Sequence, residues 1–358
     1  MAFRLPTSVE RATTLAVMSL PPRVLRAIAG PPRRTEEGYE MDLQMQVLMR
    51  LIELLRVPPM HAGTVEHARA AMDRAAPTLD FEPRAGVSVR DTRVAGAAGP
   101  LPARVYTPAS ARWAAAAPGL IYFHGGGWVV GSLDSHDRVC RVLADEAGVV
   151  LVAVDYRLAP EHPFPAAADD AIAAARAILA DAAAFGIDAA RVAVVGDSAG
   201  GNLSAVVAQA LRDDARRPVF QALVYPGTDM TRSMRSHAQF RDSFFLSKAA
   251  SDWYLERYMG KSGAEREPRA SPLFASDVSR LPPALVITAG FDPLRDEGRA
   301  YADKMTAAGV RVEHVLVEGM PHGFLTLGGA LSGAARIVRL LADRVRAGVS
   351  KRDVASAA

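Results

Sequence analysis

The sequence feature that most constrains the fold is a serine between an apolar stretch and a helical pattern. Residues 192–195 are apolar and are followed by Gly196-Asp197-Ser198-Ala199-Gly200-Gly201, a G-x-S-x-G pattern. This pattern is typical of a strand that turns sharply into a helix and leaves the serine exposed at the tip of the turn. The flanking glycines are needed because larger side chains would collide with the neighbouring strand or helix. Ser198 is therefore a candidate nucleophile.

Apolar strand patterns and helical patterns alternate from about residue 120 to near the end of the chain. Such alternation predicts a mostly parallel sheet with helices on both faces. Before it, residues 87–94 and 101–106 alternate apolar and polar side chains around a glycine-rich turn, which predicts an antiparallel hairpin. The predicted fold class is α/β, with a mixed and mostly parallel sheet of eight strands.

Two segments depart from this alternation. Residues 1–85 look helical, and a stripe of apolar positions between 41 and 55 indicates a helix over 37–55 with one buried face. Residues 228–268 are long, polar and helical only around 248–258, and a structureless loop of that length would be unusual. We predict that both segments form a helical cap, that residues 86–227 and 269–350 form the core, and that 351–358 is a frayed tail.

Charge and composition exclude several classes of protein. The chain has 42 basic and 39 acidic residues and a net charge of +3, which indicates no nucleic-acid-binding surface. No apolar stretch reaches the ~18 residues of a membrane span, so stable membrane insertion is not expected. The single cysteine, Cys140, cannot form a disulfide within the chain, which fits a reducing compartment. We therefore expect a cytoplasmic protein.

A serine nucleophile needs a base, usually histidine, and a carboxylate that orients the base. In an open α/β sheet these groups lie just past the C-terminal ends of strands. Asp292 follows the strand pattern 284–289, and His322 follows the strand pattern 310–317. The order Ser…Asp…His is known for hydrolases of this architecture. We predict Asp292 as the acid and His322 as the base.

Other side chains compete for these two roles. Asp296 and Glu297 are rival acids, but both fall on the following helix. His314 is a rival base, but it lies inside a strand. Asp292 has an alternative role as a cap of the next helix, and His322 has one as an ordinary loop histidine.

The segment His124-Gly125-Gly126-Gly127-Trp128 directly follows the strand pattern 120–123. Acyl transfer requires N–H donors for the tetrahedral oxyanion, and backbone without side chains can aim several N–H groups at one point. We predict that Gly125, Gly126 and Ala199 supply these donors. A plain flexible turn is the alternative for this segment.

No pattern in the chain points to a metal ion or an organic cofactor. The eight histidines are scattered, and neither an H-E-x-x-H motif nor a Cys/His cluster is present. The glycine patterns that bind nucleotide phosphates are also absent. We therefore expect neither group.

Several motifs in the same order make the chain resemble the hormone-sensitive-lipase-like family of α/β-hydrolases, in its bacterial esterase branch. The resemblance is firm over residues 118–325. It rests on His124-Gly125-Gly126-Gly127-Trp128, Asp155-Tyr156-Arg157-Leu158-Ala159-Pro160-Glu161, Gly196-Asp197-Ser198-Ala199-Gly200-Gly201-Asn202, Asp292-Pro293-Leu294-Arg295-Asp296 and His322-Gly323-Phe324.

The resemblance implies an α/β-hydrolase fold in which Ser198, Asp292 and His322 are nucleophile, acid and base. It implies hydrolysis of a small-molecule substrate, a short- to medium-chain acyl ester, through an acyl-enzyme intermediate. It also allows a homodimer. An apolar cap would line the acyl pocket, and the candidate substrate-binding residues are Trp128, Phe244, Phe245 and Leu246. Packing within the cap would explain the last three equally well.

Other functions stay open from the sequence. The same triad serves amidases, lactonases and deacetylases, because the acyl chemistry is shared. A ligand receptor without catalysis occurs on this fold in the plant gibberellin receptors, but such relatives lose the catalytic histidine, whereas His322 is present here. A lipase that uses residues 1–55 as an interfacial anchor is a further alternative.

Overall fold

A central sheet organises the molecule. The computed structural model describes residues 7–109, 113, 116–243 and 245–350. In this part of the chain the strands are β1 (Val87–Gly96), β2 (Gly99–Pro108), β3 (Ala117–Phe123), β4 (Val150–Val154), β5 (Ile187–Asp197), β6 (Phe220–Val224), β7 (Ala284–Phe291) and β8 (Val312–Pro321).

The eight strands form one sheet in the order β1-β2-β4-β3-β5-β6-β7-β8. The hairpin β1–β2 is antiparallel, and β2 also pairs antiparallel with β4. All other neighbours pair in parallel. The prediction of a mixed, mostly parallel eight-stranded sheet is confirmed.

Helices cover both faces of the sheet. They are α1 (Thr7–Met18), α2 (Pro22–Ala29), α3 (Leu43–Leu54), α4 (Val65–Leu79), α5 (Asp137–Ala147), α6 (Ala166–Ala180), α7 (Ala199–Ala210), α8 (Arg235–Gln239), α9 (Lys248–Met259), α10 (Arg295–Ala307) and α11 (Ser332–Ser350). None of these helices is long and apolar enough to cross a bilayer.

The alternation of side chains along the strands divides the interior into two layers. In β3, Leu120 and Tyr122 pack into a core with α5 and α11, whereas Ile121 and Phe123 pack into a core with α6 and α7. Successive side chains of a strand point to opposite faces, so a strand buried on both sides is apolar throughout. This explains the continuous apolar runs in the sequence.

The segments outside the alternation contain helices. Helix α3 begins at Leu43 instead of residue 37, because the Asp42 side chain accepts the Met45 N–H (3.1 Å) and caps the helix there. The helix predicted around 248–258 is α9. The assignment of residues 1–85 and 228–268 as a cap stays a prediction, and the predicted tail 351–358 lies outside the described residues.

The turn between β5 and α7 is held by contacts that only glycine permits. A Cβ at Gly200 would overlap the carbonyl oxygen of Phe123 at the end of β3, and a Cβ at Gly196 would overlap the backbone of Gly200. Strand β5 can therefore approach both β3 and the start of α7 closely. Ser198, between the two glycines, has φ +54° and ψ −116°.

A substitution of Gly200 tests this close approach. We expect Gly200→Ala to lower the free energy of unfolding by about 1–3 kcal/mol, since the added methyl forces the β5–α7 turn away from β3. The control is Gly86→Ala, where the added Cβ has no atom within 4 Å and φ is not in the left-handed region. Urea unfolding should show a change of no more than about 0.5 kcal/mol in the control. Equal losses in both variants would show that the β5–α7 turn does not require glycine at position 200.

Candidate active site

Three predicted side chains form one hydrogen-bonded chain at the C-terminal edge of the sheet. Ser198 follows β5, Asp292 follows β7 and His322 follows β8. The distance from Ser198 Oγ to His322 Nε2 is 2.8 Å, and the distance from His322 Nδ1 to Asp292 Oδ2 is also 2.8 Å. The parallel strands bring these residues together although they are up to 124 positions apart in the chain.

The direction of these hydrogen bonds follows from the chemistry of the groups. An ionised carboxylate only accepts hydrogen bonds, so the Nδ1–H of His322 donates to Asp292. The other nitrogen, Nε2, then carries a lone pair that accepts the Ser198 hydroxyl. Asp292 is fully buried and its second oxygen accepts the Leu294 N–H (2.8 Å). The geometry thus provides a base next to Ser198 and a fixed carboxylate behind that base.

The rival acids and the rival base have other partners. Asp296 accepts the Ser236 N–H (2.9 Å). Glu297 contacts His237, with 2.6 Å between Oε2 and Nε2. His314 pairs with the Thr288 hydroxyl at 2.9 Å. The contacts described for these three residues do not include His322.

The glycine-rich segment after β3 is anchored by the carboxylate next to Ser198. Asp197 Oδ1 accepts the Gly125 N–H (2.9 Å) and the Tyr122 hydroxyl (2.7 Å). The carbonyl of Gly125 accepts Nδ1–H of His124 (2.8 Å). Burial lowers the pKa of His124 to about 4, so this ring is neutral at pH 7. Both the N–H and the carbonyl of Gly125 are therefore held by hydrogen bonds.

This anchoring bears on the predicted oxyanion donors. The N–H of Gly125, one of the predicted donors, is used by Asp197, and Gly125 does not line the space beside Ser198. Gly126 and Gly127 do line that space. Among the described residues, neither these two amides nor that of Ala199 donates to a protein acceptor.

Asp197 is a buried carboxylate that was predicted only as part of the serine motif. Burial on its own would raise the pKa of Asp197, but His136 and the hydrogen bond from Tyr122 hold it below its ordinary value. The Nε2 atom of His136 lies 3.5 Å from Oδ1. Nothing in the spacing of the motifs signals this contact, because His136 lies beyond the glycine-rich segment and reaches Asp197 only in the folded chain.

Two cavities meet at Ser198. The larger, of about 170 Å³, is lined by Gly126, Gly127 and His322, and its apolar walls come from Met60, Met72, Leu79, Phe245, Leu246 and Leu327. The smaller, of about 50 Å³, is lined by Gly127, Ala199, Trp128 and Leu246 among others. Of the predicted substrate-binding residues, Trp128, Phe245 and Leu246 thus line a cavity, and Phe244 lies outside the described residues.

Comparison with known proteins identifies the family. A family model described as alpha/beta hydrolase fold matches residues 120–326, which is more than half of the chain. The chain belongs to the hormone-sensitive-lipase-like family of α/β-hydrolases. The match covers the glycine-rich segment, Ser198, Asp292 and His322.

Similar family members are esterases. A carboxylic ester hydrolase, LipN of Mycobacterium tuberculosis, is 42% identical over 318 residues, which cover 85% of this chain and 83% of the relative. An ethyl acetate hydrolase of Pseudomonas putida is 38% identical over 78% of this chain and 89% of its own.

Solved structures that are similar to this chain also include esterases. An ester hydrolase from the metagenome of Lake Arreo, in complex with a bipyridine phosphonate derivative, is 41% identical with a TM-score of 0.83 and covers 87% of this chain and 100% of its own. A hyperthermophilic esterase from Pyrobaculum calidifontis is 38% identical with a TM-score of 0.78 and covers 84% of this chain and 97% of its own. This family member is therefore a serine esterase-like hydrolase.

Substitution of Asp197 tests the anchoring of the glycine-rich segment. We expect Asp197→Ala to lower kcat/KM by about 10²–10³-fold, because the segment beside Ser198 loses its fixed position. It should also lower stability by about 1–3 kcal/mol, because a buried N–H and a buried hydroxyl lose their acceptor. Asp197→Asn keeps an acceptor oxygen and should retain more activity. Rates on p-nitrophenyl acetate and urea unfolding measure both effects, and wild-type activity in Asp197→Ala would contradict this role.

Proposed function

We propose that this carboxylic ester hydrolase cleaves esters of short acyl groups with Ser198 as nucleophile, His322 as base and Asp292 as the group that orients the base. The observation that carries the proposal is the continuous chain of 2.8 Å hydrogen bonds from Asp292 through His322 to Ser198. A serine hydroxyl is a weak nucleophile, and this arrangement removes its proton as it attacks.

The reaction proceeds through an acyl-enzyme. The Ser198 oxygen attacks the ester carbonyl while His322 Nε2 takes the hydroxyl proton. The resulting oxyanion accepts hydrogen bonds from the amides of Gly126, Gly127 and Ala199. His322 then gives the proton to the leaving alcohol, and water attacks the acyl-enzyme through the same base.

The two cavities support an assignment of the two parts of the ester. His322 protonates the leaving oxygen, so the alcohol must lie on the side of Ser198 that His322 occupies. His322 lines the larger cavity and is not part of the lining of the smaller one. The alcohol therefore occupies the larger cavity and the acyl group the smaller one. The small volume of the acyl cavity favours short acyl groups, as in the ethyl acetate hydrolase relative.

A p-nitrophenyl ester series from acetyl to palmitoyl tests this function. We expect kcat/KM to be highest for acetyl to butyryl esters and at least about tenfold lower from octanoyl onwards, because longer chains do not fit the smaller cavity. Ser198→Ala should lose about 10³-fold or more of the activity.

The matched control is Ser88→Ala, at an exposed serine on β1, which should keep wild-type kinetics. Circular dichroism should show that both variants are folded. A folded Ser198→Ala protein with wild-type activity would refute the nucleophile assignment. A kcat/KM that rises with chain length would refute the acyl assignment.

A further inference from the structure

The smaller cavity beside Ser198 is not a simple apolar pocket. The apolar residues of its lining include Trp128, Met230, Leu246, Tyr254 and Leu255. Polar residues share the same lining: Asp229, Arg232, His237, Ser251 and Glu297. A cavity made only to hold a short alkyl chain needs none of these polar groups. The polar residues therefore indicate that the cavity binds a group that is itself partly polar.

The His237 ring is held in a fixed orientation by a buried carboxylate. Glu297 is fully buried, and its Oε1 accepts the N–H groups of Thr228 (2.6 Å) and Asp229 (3.1 Å). Its other oxygen, Oε2, contacts His237 Nε2 at 2.6 Å. The second ring nitrogen, Nδ1, has no hydrogen-bond partner among the described residues. His237 thus presents one uncommitted hydrogen-bonding atom on a positioned ring.

Ser251 adds a second uncommitted group to the same cavity. It lies on α9 and lines the same cavity as His237. Ser251 is only 8% exposed, and within the described part of the chain its hydroxyl has no hydrogen-bond partner. A polar group that is cut off from water without a partner costs free energy. A plain alkyl chain would impose that cost on Ser251 and His237, whereas an acyl group with its own polar substituent would remove it.

We propose that the smaller cavity is a binding site for acyl groups that carry a hydroxyl, with His237 and Ser251 as its hydrogen-bond partners. The inference rests on the proposed function, because it assigns the acyl group to this cavity. A hydroxyl both donates and accepts, so it can pair with Ser251 and with either protonation form of the His237 ring. A carboxylate substituent on the acyl group is disfavoured, because Glu297 and Asp229 line the same space, and Arg232, which also lines it, already pairs with Asp252.

The test compares ethyl butyrate with ethyl 2-hydroxybutyrate and ethyl 3-hydroxybutyrate, using separate enantiomers. Each kcat/KM is divided by the rate constant for alkaline hydrolysis of the same ester, which removes differences in intrinsic reactivity. We expect the wild type to prefer at least one hydroxy ester by about tenfold, because a site built for a hydrogen bond rejects the analogue that lacks it.

Variants of the two polar residues locate the source of this preference. Ser251→Ala and His237→Phe should each lower the hydroxy-to-plain ratio toward one, and Ser262→Ala, at an exposed serine after α9, should keep it. The ratio is measured within one variant, so a general loss of activity does not move it. Ser251→Ala keeps the Glu297–His237 pair intact, so the test holds even if His237→Phe fails to fold.

Each outcome decides the inference. A wild type that cleaves ethyl butyrate at least as well as every hydroxy ester would overturn the hydroxyl site and leave the proposed function standing. A hydroxyl preference that persists in both Ser251→Ala and His237→Phe would also overturn it. A wild type that cleaves none of the esters would overturn the proposed function and this inference with it.

Discussion

The close approach of the β5–α7 turn to the end of β3 is the constraint on which the site depends. Gly196 and Gly200 permit the contact, and it holds Ser198 in a backbone conformation with positive φ that few side chains adopt. The same turn places the hydroxyl of Ser198 beside His322 and the free amide of Ala199 at the start of α7. One backbone arrangement thus positions the nucleophile and a potential oxyanion donor together.

The buried carboxylate of Asp197 also holds the glycine-rich segment after β3. Asp197 lies directly before Ser198, and its carboxylate accepts hydrogen bonds from Tyr122 and Gly125. These bonds join the end of β5 to the end of β3 and to the glycine-rich segment that follows it. They therefore fix the glycine-rich segment relative to the nucleophile. The amides of Gly126 and Gly127 remain available for the substrate as a result. The negative charge behind the site contributes through positioning, and it does not take part in the reaction proposed here.

Residue order and strand ends were enough to predict much of this site. Asp292 and His322 follow strands of a parallel sheet, and the carboxyl ends of such strands lie at one edge. Their position near Ser198 could therefore be predicted from the sequence alone. The direction of a backbone amide could not be predicted, because it depends on the turn that follows β3. In the structure the N–H of Gly125, a predicted oxyanion donor, is used by Asp197. His237 and Ser251 were not predicted either, because the segment that carries them has no strand or motif pattern that shows which of its residues line the cavity beside Ser198.

The assignment of Ser198 as the nucleophile can be tested by covalent labelling with an alkyl p-nitrophenyl phosphonate, followed by mass spectrometry of the digested protein. A phosphonate reacts with a serine that an adjacent base activates. We expect one adduct on the peptide that contains Ser198, and a labelling rate that falls by about 10²-fold or more in His322→Ala. Labelling at another residue, or an unchanged rate at Ser198 without His322, would show that the hydrogen-bonded chain from Asp292 to Ser198 does not create the nucleophile.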